Sequence, residues 1–226
     1  MSEITGLNPT LAKQQIDDFY QTATEIGNDF HMNRLLPFFE NVGKVWYSPK
    51  AVEFWNVHFY DLLLAVETYN DAVHNVCVKA TAAYNRLATS NGLPGIGETD
   101  FGEEVNSRAL WAEGSLGLTE AGIYFQEASP DGIVGMDYQK VNDYVDRLKE
   151  DVRVFVDKVE ALPVTIAFFD PDGSLQELYK GLIRAGVADV VKSVITMSSG
   201  IKSATQEEIN AVVAAKESAA STLGGN

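Results

Sequence analysis

The sequence has little cysteine, little positive charge and no long apolar run. Its single cysteine, Cys77, cannot form an intramolecular disulfide, so the chain carries no disulfide framework of the secreted kind. Its 17 lysines and arginines stand against 32 aspartates and glutamates, and the net charge of -15 would repel phosphate backbones and anionic lipid. No run of about 18 apolar residues occurs, so we expect no membrane span. Nucleic acid and membranes are therefore not expected as main partners.

The N-terminal stretch also lacks the parts of a secretory signal peptide. The letters MSEITGLNPTLAKQQ contain neither a basic n-region nor an apolar h-region. We expect that export, where it happens, uses no cleaved signal peptide; the alternative locations are the cytoplasm and a virion. With 226 residues, of which 46% are hydrophobic, the chain has enough material for one large domain or two small ones.

The sequence shows no motif for catalysis, metal binding or nucleotide binding. Its histidines, His31, His58 and His74, form no zinc spacing such as HExxH. The glycine-rich stretch from Gly92 to Gly97 lacks the lysine of a phosphate-binding loop. We therefore expect a non-enzymatic protein with no catalytic residue, no metal site and no cofactor. An enzyme whose site the sequence does not reveal stays open as an alternative.

One acidic stretch resembles the start of a calcium-binding loop. Asp170, Asp172 and Ser174 have the alternating spacing of such a loop, but Leu175 stands where the loop needs a glycine for its sharp turn. Apolar residues at helical spacing follow at once. A helix start with Ser174 and Glu177 as a capping box explains the stretch better.

Apolar residues recur at helical spacing in the first part of the chain. The first pattern starts after Asn8, and Pro37 should kink or interrupt it, giving one bent helix or two short ones. A second pattern starts at Ser48, which suits an N-cap, with Pro49 at the first helical position, and it holds until Gly92. Two long antiparallel helices joined by a tight turn are predicted.

The whole chain is predicted to be all-α, with two long antiparallel helical hairpins in a four-helix-type bundle and a glycine-rich connector. The first hairpin covers residues 1–91 and the second covers residues 136–215. The connector, residues 92–135, holds short helical pieces, and its aromatic residues give it enough surface to pack rather than to be disordered. Residues 216–226 are predicted to form a flexible tail.

The two predicted hairpins resemble each other in sequence. Trp46-Tyr47-Ser48-Pro49 aligns with Phe168-Phe169-Asp170-Pro171, and the apolar positions on both sides align after a short insertion. This pattern favours an internal duplication of a helical hairpin. The alternative is a chance match, because any two amphipathic helices can be brought into apolar register. The aligned apolar positions are Ile16, Phe19, Ala23, Ile26, Phe30, Ala51, Phe54, Trp55, Phe59 and Val66 with Tyr138, Val141, Val145, Leu148, Val152, Leu175, Leu178, Tyr179, Ile183 and Val190.

The turn and the helix after it carry a family resemblance. Trp46 and Ser48, followed by Ala51, Phe54 and Phe59, resemble the Trp-x-small turn and second helix of the WXG100 (ESAT-6-like) family. The resemblance implies a helical hairpin that is exported by a type VII secretion system. This chain departs from the family in having serine for the turn glycine, an added proline, more than twice the usual length, and no Tyr-x-x-x-Asp/Glu signal.

The residues expected to carry an interaction lie at the two aligned turns and just after the first. For Trp55, a role as a core anchor that closes the turn is favoured, whereas Trp46, at the tip, could instead contact a secretion machine or a partner subunit. The candidate interaction residues are Trp46, Ser48, Pro49, Phe54, Trp55, Phe168 and Phe169.

These observations indicate a function in protein-protein contact. The leading hypothesis is a WXG100-like protein that is secreted, or associated with secretion, through a type VII-like system. It would bind a protein partner or associate with itself, as a homodimer or a larger assembly. The alternative is a structural subunit of a virion or another assembly, a role that also suits an acidic helical chain without enzyme motifs.

Overall fold

The computed structural model describes residues 7–97, 101, 124–163, 170 and 173–224. The described part is mostly helical, which confirms the predicted all-α class. None of its helices is long and apolar enough to cross a membrane. The helices are α1 (Pro9–Phe30), a π-helical turn (His31–Leu35), α2 (Leu36–Gly43), α3 (Pro49–Ser90), α4 (Tyr138–Glu160) and α5 (Ser174–Gly224). Two short strands, β1 (Trp46–Tyr47) and β2 (Gly135–Met136), pair in the antiparallel sense.

Helix α1 begins at the predicted cap and passes into α2 through the π-helical turn. The Asn8 side chain accepts a hydrogen bond from the Leu11 amide at 3.0 Å. Ahead of Pro37, the Leu36 amide donates to the carbonyl of His31, five residues earlier. A proline has no N-H and crowds the carbonyl four residues before it, so a wider turn ahead of it relieves the clash. The predicted interruption at Pro37 is therefore a π turn within a continuous helical run.

Helix α3 has the start and the end that the sequence predicts. Ser48 is extended, and its Oγ accepts a hydrogen bond from the Ala51 amide at 3.0 Å, while Pro49 occupies the first turn. The helix ends at Ser90, and Gly92 follows with a φ of 67°. Glycine tolerates this left-handed conformation without a steric penalty, which is why it ends the helix.

Helix α5 differs from its prediction at both ends. The carboxylate of Asp170 accepts hydrogen bonds from the first-turn amides of Leu175 at 3.3 Å and Gln176 at 3.1 Å, and Ser174, the predicted cap, is the first residue of the helix itself. At its other end the helix continues to Gly224, through most of the segment predicted as a flexible tail. Five of the nine residues from 216 to 224 are lysine, glutamate, alanine or leucine, which have high helix propensity.

The long helices share one hydrophobic core. Helix α3 contacts α1 and α5, and α4 contacts α1, α2 and α5. The Tyr69 hydroxyl donates to the carbonyl of Ala23 at 3.0 Å, and burial raises the pKa of this phenol, so it stays a donor. Gly186 lets α5 approach α3, because a Cβ there would lie 2.9 Å from the Cα of Tyr69. A single apolar core therefore includes residues from both halves of the chain.

The connector packs on the helices where the structure describes it. Ile96, Phe101 and Phe125 are buried in the core. The Tyr20 hydroxyl donates to the carbonyl of Phe101 at 2.7 Å, which fixes the chain against α1. The prediction that connector aromatics pack is confirmed for Phe125, whereas Trp111 and the predicted helical pieces before residue 124 lie outside the described residues.

Candidate interaction site at the Trp46 to Pro49 turn

An aromatic cluster surrounds the turn between α2 and α3. Trp55 lies at its centre: its ring stacks on Phe125 with centroids 4.8 Å apart, and it meets Trp46 edge-on at 6.0 Å. The side chains come from α2, β1, α3 and the connector, so the cluster joins elements that are distant in sequence. Its members are Phe38, Phe39, Trp46, Phe54, Trp55, Phe59, Tyr124 and Phe125.

A carboxylate of α5 holds the turn from the other side. The Trp46 indole Nε1 donates to Oε1 of Glu208 at 3.1 Å, and the Ser48 hydroxyl donates to the same oxygen. The Ser48 hydroxyl also accepts a hydrogen bond from the Ala51 amide, so this one group both caps α3 and binds α5. We call Trp46, Ser48 and Glu208 the turn clasp. An exposed ion pair between Lys50 and Glu207 lies beside it at 3.1 Å.

The connector is tied to the same turn by backbone pairing. Trp46 pairs with Met136 in the two-stranded sheet, and the Asp137 amide donates to the carbonyl of Val45 at 2.8 Å. The Thr205 hydroxyl lies 3.7 Å from the sulfur of Met136. The turn therefore brings together α3, α5 and the end of the connector, which lie far apart along the chain.

The structure brings five of the candidate interaction residues together. Trp46 and Trp55 are 0% exposed and Ser48 is 6% exposed, whereas Phe54 is partly buried and Pro49 is exposed. The core-anchor role predicted for Trp55 agrees with this burial. A partner contact through Trp46 stays a prediction, and it would require the clasp to open and uncover the indole. Phe168 and Phe169 lie outside the described residues.

Polar groups near the aromatic cluster are packed against its side chains. His58 packs against Phe54 with ring centroids 4.3 Å apart, and burial lowers the pKa of this imidazole, while the nearby Asp61 carboxylate opposes the shift. Among the described residues, no group of three or more histidine, cysteine or acidic side chains is placed to hold a metal ion. Within the same residues, the buried Nε1 of Trp55 has no hydrogen-bond partner.

Sequence reasoning missed Glu208 as part of this site. The buried stripe of α5 continues at helical spacing through Val194, Met197, Ile201 and Thr205, and the next position on that stripe is Glu208. This spacing was the available signal that Glu208 faces the core. It does not identify the donors, because Trp46 and Ser48 precede Glu208 by 162 and 160 residues.

Comparisons with known proteins found no match, so the proposed function below is argued from the structure of the chain. No family model, no curated protein and no solved structure matches the chain.

Proposed function

We propose that this chain is a WXG100-like helical protein that acts by protein-protein contact, without catalysis, and is secreted or secretion-associated through a type VII-like system. The proposal includes an arrangement of two antiparallel helical hairpins in a four-helix-type bundle. The observation that carries it is the turn between α2 and α3. There Trp46 and Ser48, in Trp-x-small spacing, lie directly before the capped start of a long amphipathic helix.

The contacts between helices support the bundle. Phe30 of α1 packs on Phe155 of α4 at 4.8 Å, and Asp29 pairs with Lys158 at 2.9 Å. The turn clasp links the start of α3 to the distal part of α5. Two hairpins in one chain would supply the four helices that separate subunits contribute in a helical bundle.

The burial of aligned positions supports a tandem origin for the two hairpins. In α1 and α3 most of the aligned apolar residues are buried, and in α4 and α5 most of their counterparts are buried too. Ile26, Phe54 and Leu175 are only partly buried, and Tyr138 and Leu178 are 47% and 54% exposed. A shared pattern of burial is what a duplicated hairpin would keep, although Asp170 is the one residue of the aligned second turn that the structure describes.

The proposal is tested by following export in the source cells. We expect the chain in the culture medium, and we expect it to disappear from the medium when the type VII export ATPase is deleted. Equal amounts in the medium of both strains would contradict the proposal. So would retention of the whole pool inside the cells.

A variant pair separates recognition of the turn from simple unfolding. Trp46→Ala removes the turn indole, whereas Glu208→Ala weakens the same clasp and leaves the indole in place. We expect Trp46→Ala to abolish export and Glu208→Ala to be exported in proportion to its folded fraction. If export of both variants follows only their stability, Trp46 has no role in recognition.

A second candidate function is a structural subunit of a virion or another assembly. The observation that favours it is the end of α5, where Ile209, Val212 and Val213 are 47% to 55% exposed at helical spacing. Such a stripe could pair with another copy of the chain. Light scattering with mass determination over a concentration series tests this. Growth into large regular particles would support assembly, and a constant small mass would count against it.

A further inference from the structure

An apolar groove runs between α4 and the N-terminal half of α5. It encloses about 580 Å³, which lies within the usual range for binding sites. Val156 and Val159 line it from α4, and Ile183, Val187 and Val191 line it from α5. Val159, Ile183 and Val187 are buried at the base of the groove, whereas Val156 and Val191 are partly exposed and Ile195, further along α5, is 59% exposed and open to a partner.

Positive charge follows one edge of this groove. Lys180, Arg184 and Lys192 stand at multiples of four residues along α5, which places them in one row on the helix surface. Glu160 is the one carboxylate among the residues that line the groove. The groove lining therefore carries a net positive charge, although Asp61 and Asp189 share a neighbouring cleft with Lys192 and the chain as a whole carries a net charge of -15.

The cationic side chains of this row make few interactions within the described part of the chain. Lys180 pairs with Glu177 at 3.0 Å, but both side chains are well exposed, and such pairs are weak and easily exchanged. In the part of the chain that the structure describes, Arg184 and Lys192 have no hydrogen bond or ion pair from their side chains. The row can accept carboxylates from a partner without breaking a buried interaction.

The dimensions of the row favour a helix as the occupant. At about 1.5 Å per residue, Lys180 and Lys192 lie about 18 Å apart along α5. A helix laid beside them presents residues four apart at steps of about 6 Å, so a row of carboxylates on that helix would match the cations. A fatty acid has one carboxylate at one end and would leave the other cations without a partner.

We propose that the groove between α4 and α5 binds an amphipathic helix of a partner protein, with apolar residues on the valine and isoleucine floor and a row of carboxylates facing Lys180, Arg184 and Lys192. This is recognition of a helix in a groove. The inference rests on the proposed function in protein-protein contact and adds the chemistry of the partner. The cationic edge would set orientation and specificity, and the apolar floor would supply most of the affinity.

The test uses the full chain and two synthetic peptides. Each peptide is about 18 residues long, about five helical turns, with leucines on one face; one carries glutamates along the flank and the other carries lysines at the same positions. Binding is measured by fluorescence anisotropy at low and at moderate ionic strength. We expect the glutamate peptide to bind, the lysine peptide to bind at least about tenfold more weakly, and salt to weaken the first.

A matched pair of variants locates the binding. Lys192→Glu reverses a charge on the groove edge, and Lys202→Glu makes the same change at another exposed position of α5, outside the groove lining. We expect Lys192→Glu to weaken the glutamate peptide about five- to tenfold and Lys202→Glu to change it less than about twofold. Both substitutions are at exposed positions, so both proteins should stay folded.

Several results would overturn the inference. Equal binding of the two peptides, or equal effects of Lys192→Glu and Lys202→Glu, would show that the cationic edge has no role in binding. Displacement of the peptide by dodecanoate at low concentration would identify an anionic amphiphile as the better occupant. Self-association that Lys192→Glu abolishes would identify a second copy of the chain. If no peptide binds while export still depends on the ATPase, this inference fails and the proposed function stands.

Discussion

Removal of the Glu208 carboxylate should destabilise the fold far more than removal of its neighbour. Oε1 of Glu208 accepts hydrogen bonds from the Trp46 indole and the Ser48 hydroxyl. In Glu208→Ala both donors lose their acceptor. Trp46 is 0% exposed, so water cannot readily replace the carboxylate at its N-H.

The size of the effect follows from the burial of the donors. A buried donor left without a partner costs about 1–3 kcal/mol, and a hydrogen bond to a charged acceptor contributes about 1.5–3 kcal/mol. Because Glu208 itself is partly exposed, we take the lower end of these ranges, about 1–1.5 kcal/mol, for each of the two donors and expect a total loss of about 2–3 kcal/mol. Glu208→Gln, which keeps an acceptor but loses the charge, should fall between the wild type and the alanine variant.

The control is Glu207→Ala, on the same turn of the same helix. Its partner Lys50 lies at 3.1 Å, but the two side chains are 53% and 60% exposed, so the change should cost no more than about 0.5 kcal/mol. The helix propensity term is identical in the two variants and cancels. Urea unfolding, followed by tryptophan fluorescence and circular dichroism, gives both free energies. Losses that agree within about 0.5 kcal/mol would refute the clasp.

Three further predictions use single sites. Gly186→Ala should destabilise the protein by about 1–3 kcal/mol, because a methyl group there would collide with α3. Gly181→Ala, with open space around it, should stabilise the protein by up to about 1 kcal/mol, because alanine favours the helix more than glycine does. Changes of the same sign in urea unfolding would contradict this pair of predictions. Phe125→Ala should cost about 3–5 kcal/mol by removing the ring stacked on the central tryptophan, and a loss below about 1 kcal/mol in the same assay would show that the connector packs loosely. Burial, with a smaller effect of Asp17, raises the pKa of the Cys77 thiol from 9.0 to about 12. The unfolded chain therefore loses this proton at a lower pH than the folded chain, and the free energy of unfolding should fall as pH rises from about 9 to about 12. Cys77→Ala should make that fall less steep when unfolding is measured across this pH range.

Local signals in the sequence predicted the N-terminal caps of α1 and α3 and the end of α3. The side chains of Asn8 and Ser48 accept hydrogen bonds from the first turns of α1 and α3, as their positions before apolar patterns suggested. Gly92 ends α3 in a left-handed conformation. These features depend on a few neighbouring residues, so periodicity and capping rules suffice to find them.

The features that sequence reasoning missed depend on residues far apart in the chain. The pairing of β1 with β2 joins Trp46 to Met136, and two-residue strands have no periodicity to detect. The clasp to Glu208 depends on the relative placement of α3 and α5, which apolar patterns do not fix. At α5, the capping rules favoured Ser174, although the carboxylate of Asp170, four residues earlier, accepts hydrogen bonds from two amides of the first turn.

The length of α5 determines how the protein should behave in solution. Its 51 residues extend about 75 Å at about 1.5 Å per residue, and residues 209–219 are exposed beyond the point where α3 begins. A compact, spherical protein of this length would have a radius of gyration of about 17 Å and a diameter of about 45 Å. A single molecule should therefore diffuse slowly for its mass and elute early from a size-exclusion column. An apparent dimer by retention volume is the result expected of one elongated monomer.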